Sequence, residues 1–241
     1  MSTAATERFV VCVPTYNERE NLERMIEAIG AARERATIPG DVLVIDDGSP
    51  DGTGEIADRL AAEHDWVHVL HRTAKEGLGR AYLAGFRWAL DQGYDYICEM
   101  DCDFSHDPGR LPDLVIGSRY TRGGGVRDWS LARRAISRGG CLYAQAFLQL
   151  GIRDLTGGFK CFRRAVLEAI DLDDVTAEGY AFQIEMTYRT SLLGFRIEEV
   201  PITFTDRVAG GSKMSRRIVA EASWRVPSLR VRALRHELPK R

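Results

Sequence analysis

"VLVIDDGSPDGTGEIADRLAAEH", residues Val42–His64, carries the pattern that decides the fold. Val42 to Ile45 read as a strand. Asp46-Asp47-Gly48-Ser49 follows as a polar turn, and Ser49, Asp51, Gly52 and Thr53 are turn and helix-cap residues. "TGEIADRLAAEH" then reads as a helix. The same order recurs through the first half. "RFVVCVPTYNE" predicts a strand over Phe9 to Val13, ending at Pro14. "NERENLERMIEAIGAA" predicts a helix, with Leu22, Met25, Ile26 and Ile29 at helical spacing and Asn17 or Asn21 as cap. "WVHVLHR" is a third strand, "LGRAYLAGFRWALDQ" a third helix ending near Gly93, and "DYICEMDCD" a fourth strand. Alternation of this kind predicts an α/β fold with a mostly parallel central sheet flanked by helices.

The second half is expected to hold a strand at "DLVIGSRY" and a long helix, or a helix pair broken at Gly139-Gly140, at "LARRAISRGGCLYAQAFLQLG". "DLTGGFKCFRR" reads as a glycine-bearing loop, "AVLEAIDL" and "AFQIEMTYRTSLLG" as helices, and "RIEEVPITF" as a strand. Without a repeat or a linker, the expected organisation is one domain over 1–213 and a basic C-terminal appendage over 214–241. Pro227 is expected to kink or split a helix in that appendage.

A chain of 241 residues suffices for one large α/β domain or two small ones. Its 44% hydrophobic and 28% charged content is that of a soluble globular protein, and a net charge of −2 excludes a chain-wide polyanion binder. Between Arg207 and Arg241, however, ten Lys/Arg face two acids, Glu221 and Glu237. Such a tail suits an anionic surface. A nucleic-acid surface requires interleaved aromatics, and only Trp224 stands there, so no nucleic-acid partner is expected. The five cysteines, Cys12, Cys98, Cys102, Cys141 and Cys161, form no CxxC pair and suit buried thiols in a reducing compartment. The longest uncharged run, residues 139–152, is shorter than the ~20 apolar residues of a membrane span. The chain is expected to lie on a membrane rather than cross it.

Three predicted strands end in polar clusters: Pro14-Thr15-Tyr16-Asn17-Glu18, Asp46-Asp47-Gly48-Ser49, and Asp101 with Asp103. Ligands of parallel sheets bind at the carboxyl ends of strands, so these clusters predict a site at one rim. Asp101 and Asp103 in "MDCDFSHDP" can converge on one ion in a turn past a strand, and hard oxygen donors suit Mg²⁺ or Mn²⁺. Asp46 and Asp47 are acceptors suited to a base or ribose. "KEGLGRAY" offers glycines to a phosphate or to a helix start. It is no dinucleotide fingerprint, because Tyr82 occupies the third glycine position. His64, His68 and His71 do not form a zinc site in this reading, since His68 and His71 face opposite sides of a strand.

Together, "VVCVPTYNERENL", "VLVIDDGSPDGT", "GLGRAY", "EMDCDFSHDP", "VIGSRY", "TGGFKCFRR", "YAFQIEM" and "EEVPITFTDRVAGGSKM" resemble the polyprenol-phosphate (dolichol-phosphate type) mannosyltransferases, inverting GT-A-fold members of the family-2 glycosyltransferases. The resemblance runs from about Phe9 to Met214. It implies transfer of mannose from GDP-mannose to a polyprenyl monophosphate with a divalent cation, Mg²⁺ or Mn²⁺. It further implies a peripheral place on the cytoplasmic face of a membrane, with a membrane-anchoring partner protein as a candidate.

Carried over by residue, Pro14, Tyr16, Glu18, Asp46, Asp47, Gly77 and the Cys102 backbone match the nucleotide-sugar site. Asp101 and Asp103 match the metal ligands, with Ser105 where relatives carry Gln. Arg119 matches the arginine near the transferred sugar and phosphates. Arg133 or Arg134, Arg207 and Lys213 match basic residues around the acceptor phosphate, and Arg207 and Lys213 also lie by the donor.

The chain departs from the family at one point. Four residues, Gly109 to Pro112, separate Pro108 from Asp113 where relatives have a longer connection with a helix. A parallel crossover needs about ten or more residues. Either the flanking strands run antiparallel through a tight link, or a native segment is absent. The rival readings are a transferase of the same fold using another sugar nucleotide, such as UDP-glucose, and a non-catalytic sugar-nucleotide-binding subunit.

Overall fold

The computed structural model describes residues 7–34, 40–100, 114–127, 129–205 and 216–239. In chain order the elements are β1 (Phe9–Thr15), α1 (Leu22–Arg33), β2 (Gly40–Asp46), α2 (Thr53–Glu63), β3 (Val67–His71), α3 (Leu78–Asp91), β4 (Tyr96–Glu99), β5 (Leu114–Ser118), β6 (Gly125–Arg127), α4 (Leu131–Leu148), β7 (Lys160–Arg163), α5 (Arg164–Ala169), α6 (Gly179–Leu192), β8 (Ile197–Pro201), β9 (Thr203–Thr205) and α7 (Arg216–Leu234). The chain divides into two compact units, Met1–Leu111 with Cys161–Glu168, and Pro112–Lys160 with Ala169–Arg241.

The first unit is a parallel sheet in the order β3-β2-β1-β4, with β7 beside β4. Val11 pairs with Val42 on one side and Cys98 on the other, and Val44 pairs with Val69. Val10–Val13 and Val42–Ile45 are buried, as expected for strands covered on both faces. Alternation along β2 sends neighbouring side chains to opposite faces. A Cβ on Gly85 of α3 would meet Ile45 and Cys12, whereas one on Gly54 of α2 would meet Asp46 and His71. Helices α2 and α3 therefore cover opposite faces. The strand order reverses between β1 and β4, which makes their carboxyl ends the switch point where such sheets bind ligands.

The second unit pairs β5 with β8 and β6 with β9, both parallel. Helices α4, α6 and α7 enclose a core of Ala144, Leu148, Leu155, Ile184, Tyr188, Val226, Leu229, Ala233 and Leu238. The residues expected as an appendage thus contribute Val226, Leu229 and Ala233 to this core.

Of the two readings of α4, the single long helix holds, running unbroken through Gly139 and Gly140, and several other local expectations are corrected. Two mid-helix glycines cost about 1 kcal/mol each, and burial of Cys141, Ala144 and Leu148 on the far side holds the turns together. Helix α7 is continuous through Pro227. Proline removes the hydrogen bond to the carbonyl four residues earlier, that of Ser223, and Tyr143 Oη donates to that carbonyl at 2.5 Å. "KCFR", expected within a loop, is β7. "RIEEVPITF" forms two strands, because β8 pairs with β5 whereas β9 pairs with β6, and Ile202 stands between them, donating to the Ser118 carbonyl at 3.1 Å and accepting from Gly125 N–H at 2.9 Å. The short strand β6 carried no sequence pattern. The link Gly109–Pro112 lies outside the described residues.

Leu229 is 3% exposed in the three-helix core. Leu229→Ala is expected to lower the unfolding free energy by about 2–5 kcal/mol, read as a fall in urea midpoint. A neutral substitution would mean that α7 is not part of the core.

Candidate active site

In the first unit, the loops after β1 and β2 are bound to each other. Asp47 N–H donates to the Thr15 carbonyl at 3.1 Å, Asn17 N–H to Ser49 Oγ at 3.1 Å, and Glu18 N–H to Thr53 Oγ1 at 3.0 Å. Asn17 sits at φ 56°, a left-handed conformation that asparagine tolerates. Of the two cap candidates, Asn21 occupies the N-cap of α1, but its side chain makes no cap hydrogen bond and donates instead to Glu18 Oε2 at 2.9 Å. Pro14, Tyr16, Glu18, Asp46 and Asp47 are thereby brought to one rim.

The two aspartates differ in their partners. Asp46 accepts from Ser49 Oγ at 2.6 Å and from Ser49 N–H at 3.2 Å. Turn closure was expected only of Asp51–Thr53, and Asp51 does bind Thr53 N–H and Oγ1 at 3.0 and 2.6 Å. Asp47 is bound by the Arg72 guanidinium, which also reaches Glu76 Oε2 at 2.6 Å. Burial raises the Asp47 carboxyl above its ordinary range, and the Arg72 hydrogen bond and charge pull against that. Asp46, Ser49, Gly54, Glu55, Asp58 and His71 line a depression of about 220 Å³. Lys75 Nζ stands 4.0 Å from the Tyr16 ring centroid, a cation–π contact. Gly77, at φ 111°, is the N-cap of α3. Only glycine adopts that conformation without strain, so the helix start accounts for it.

His68 lies 3.7 Å from Asp41, while His71 Nε2 lies 2.8 Å from Asp58. The histidines are separate, and among the described residues no three His, Cys, Asp or Glu side chains gather as a metal site. Cys12 and Cys98 are buried thiols, and burial pushes both up, away from thiolate. Asp101, Cys102, Asp103, Ser105, Arg207 and Lys213 lie outside the described residues.

In the second unit, Arg119 follows β5 directly and is 8% exposed. Asp154, fully buried, accepts from Arg119 N–H at 2.9 Å, Nε at 2.7 Å and Nη2 at 2.6 Å. Thr156 Oγ1 accepts from the same Nη2 at 2.9 Å. Burial alone would raise the Asp154 carboxyl. The hydrogen bonds and charge of Arg119 outweigh burial and hold it below the ordinary carboxylate range. Arg119 is raised in turn by Asp154, against the effect of burial.

Two aromatic rings gather three guanidinium groups. The Trp129 ring has Arg133 Cζ at 4.2 Å and Arg119 Cζ at 5.4 Å. The Tyr120 ring has Arg138 Cζ at 4.7 Å and Arg119 Cζ at 5.3 Å. Tyr120 Oη donates to Ser137 Oγ at 2.7 Å. Between Arg133 and Arg134, the structure brings Arg133 to the ring beside Arg119. Sequence reasoning missed Arg138, Tyr120, Trp129, Asp154 and Thr156, because they are scattered over "SRYTRGGGVRDW", α4 and a loop without periodicity. Three guanidinium groups on two rings, with only Arg119 paired to a buried carboxylate, have the chemistry to seat an anion.

The signature described as glycosyl transferase family 2 matches residues 10–171. An undecaprenyl-phosphate mannosyltransferase of Micrococcus luteus is 51% identical over 225 residues, covering 89% of this chain and 90% of that protein. A polyprenol monophosphomannose synthase of Mycolicibacterium smegmatis is 48% identical over 238 residues, covering 94% and 88%. Among solved structures, glucosyl-3-phosphoglycerate synthase of Mycobacterium tuberculosis, in complex with Mn²⁺, UDP-glucose and phosphoglyceric acid, shares the fold at 17% identity. Its TM-score is 0.64, with 97% of this chain and 81% of that chain covered.

Asp154 titrates near pH 3.9 in an unfolded chain and lower in the native protein. Its contribution to stability is therefore complete above about pH 4 and is lost as pH falls through the native value. The stability gap between the native protein and Asp154→Asn is expected to be flat from pH 7 to about 5 and to narrow below about 4. A gap independent of pH in urea titrations would contradict this.

From its sequence signature and its identity to two curated relatives, the chain belongs to glycosyl transferase family 2, in the branch that holds the polyprenyl-phosphate mannosyltransferases.

Proposed function

We propose that the protein transfers mannose, with inversion, from GDP-mannose to a polyprenyl monophosphate. The observation that carries this reading is the gathering of Arg119, Arg133 and Arg138 on two aromatic rings, in a chain 51% identical to an undecaprenyl-phosphate mannosyltransferase.

A phosphate monoester has a second pKa near 6 and is largely ionised at neutral pH. Such a nucleophile needs no general base. The barrier is repulsion between the attacking phosphate and a sugar that still carries a diphosphate. Arg119, Arg133, Arg207 and Lys213 hold the incoming phosphate, with arginine able to grip it bidentately. Pro14, Tyr16, Glu18, Asp46, Asp47, Gly77 and the Cys102 backbone hold the nucleotide sugar.

Asp101, Asp103 and the Ser105 hydroxyl would offer hard oxygen donors, which suit Mg²⁺ or Mn²⁺, and a divalent cation held by them would supply Lewis-acid neutralisation of the departing diphosphate. The M. tuberculosis synthase of the same fold is complexed with Mn²⁺ and a nucleotide sugar.

The assay is radiolabelled GDP-mannose with polyprenyl phosphate and Mg²⁺ or Mn²⁺, with label expected in the organic phase. Faster turnover of UDP-glucose than of GDP-mannose would overturn the donor. Asp103→Asn is expected to lose at least ~100-fold in rate; a near-normal rate would exclude metal-assisted transfer.

The acceptor's polyprenyl chain resides in a bilayer, and the second unit carries a face suited to one. No helix among the described residues is long and apolar enough to cross a membrane. All seven exposed large apolar side chains among those residues lie on α4 and α7: Leu131, Ile136, Leu142, Phe147, Trp224, Val231 and Leu234. Helix α4 has no acidic residue and carries Arg133, Arg134 and Arg138. An apolar face flanked by arginines is the pattern of an interfacial helix on anionic lipid. We therefore read the protein as peripheral on the cytoplasmic face, directly or with a membrane-anchoring partner. The double substitution Ile136→Glu/Leu142→Glu is expected to abolish flotation with vesicles of anionic phospholipid while leaving thermal stability intact. Undiminished flotation would place membrane contact elsewhere.

A further inference from the structure

Asp154 makes all three of its side-chain bonds to Arg119 through groups that fix the arginine's direction: the backbone N–H, Nε and Nη2. Thr156 Oγ1 takes Nη2 as well, at 2.9 Å. The guanidinium is therefore held through Nε and Nη2 by Asp154 and Thr156.

The frame around this pair is rigid. Glu199 of β8 accepts from Asp154 N–H and Arg153 N–H, both at 2.9 Å, so the loop bearing Asp154 hangs from the strand that pairs with β5. A Cβ on Gly157 would stand 3.2 Å from the Gly117 carbonyl and 3.5 Å from Asp154 Cγ, and one on Gly124 would stand 2.4 Å from the Ser118 carbonyl. Gly124 packs against the Ser118–Arg119 backbone with no space for a side chain, and Gly157 lies tightly against Gly117 and Asp154.

A buried ion pair is weak evidence of stabilisation, because desolvation offsets the attraction and apolar residues of similar volume often serve as well. A carboxylate that takes the backbone N–H, Nε and Nη2 of one arginine together suits orientation better than stability.

We propose that Asp154, seconded by Thr156, is the positioning residue that aims the Arg119 guanidinium at the phosphate of the reaction. The inference rests on the acceptor-site reading of Arg119. Displacement of a catalytic group by about 1 Å costs on the order of 100-fold in rate.

The test compares Arg119→Lys, Asp154→Asn and their double variant in the organic-phase mannose assay, with donor binding measured by fluorescence. Asp154→Asn is expected to lower kcat/KM for polyprenyl phosphate about 100-fold and to leave nucleotide-sugar affinity unchanged. The double variant is expected to be no slower than Arg119→Lys alone, because a misaimed lysine has no further alignment to lose. If the two losses instead add, Asp154 does not act through Arg119 and the proposal fails. If Arg119→Lys is impaired while Asp154→Asn is not, positioning fails and the acceptor-site reading stands. If Arg119→Lys keeps near-native kinetics, the acceptor role of Arg119 fails and this proposal with it. Should Asp154→Asn not fold, Thr156→Val replaces it, with about a tenfold loss expected that vanishes in the Arg119→Lys background. Persistence of that loss there would overturn the proposal.

Discussion

A parallel strand cannot be turned back into its neighbour by a hairpin, so each strand of the first unit must end in a loop that finds its own hydrogen bonds. That constraint shapes the rim where β1 and β2 finish. Thr15, Asn17 and Glu18 are tied to Asp47, Ser49 and Thr53 by backbone and hydroxyl bonds, so two loops distant in sequence behave as one surface. Because β1 lies between β2 and β4, that surface sits at the strand-order reversal. The carboxylates at this rim are held rather than loose: Ser49 closes on Asp46, and Arg72 on Asp47.

The second unit meets a different problem, the collection of positive charge. Guanidinium groups repel one another, and a single buried carboxylate cannot neutralise three. The aromatic rings of Trp129 and Tyr120 reduce the conflict, since their faces attract cations without neutralising them. The cluster keeps an excess of positive charge that an incoming phosphate can satisfy. Asp154 holds one member rigidly, while Arg133 and Arg138 reach in from α4.

Helix α4 connects this chemistry to the surface. One side buries Cys141, Ala144 and Leu148, and Cys141 Sγ touches Thr156 Oγ1 at 3.3 Å. Its outer side presents Leu131, Ile136, Leu142 and Phe147. Tyr143, on the same helix, occupies the carbonyl that Pro227 frees in α7. One helix thereby carries arginines to the Trp129 and Tyr120 rings, an exposed apolar face, and the hydroxyl that lets its neighbour tolerate a proline.

The α/β alternation of the first half, the polar clusters at strand ends and the family itself were legible in the residues, because hydrophobic period and turn chemistry are local properties of the chain. Helices α1, α2 and α3 and strands β1 to β4 follow that pattern closely. Whether α4 breaks at Gly139-Gly140 and α7 splits at Pro227 was not legible, because local propensity counts a mid-helix glycine or proline as a breaker, and the burial and the distant hydroxyl that compensate are invisible to it. Arg119 was singled out by its motif; that Asp154, 35 residues away, would grasp it was not legible. That Arg133 rather than Arg134 lies over Trp129 also belongs to the tertiary structure, since adjacent residues on a helix differ by about a hundred degrees in direction. The sequence by itself determined which elements form and which chemistry their loops carry, because those depend on neighbours along the chain. The fold alone decided which charges meet, because a salt bridge or a cation–π contact depends on ångströms in space between residues that the sequence leaves far apart.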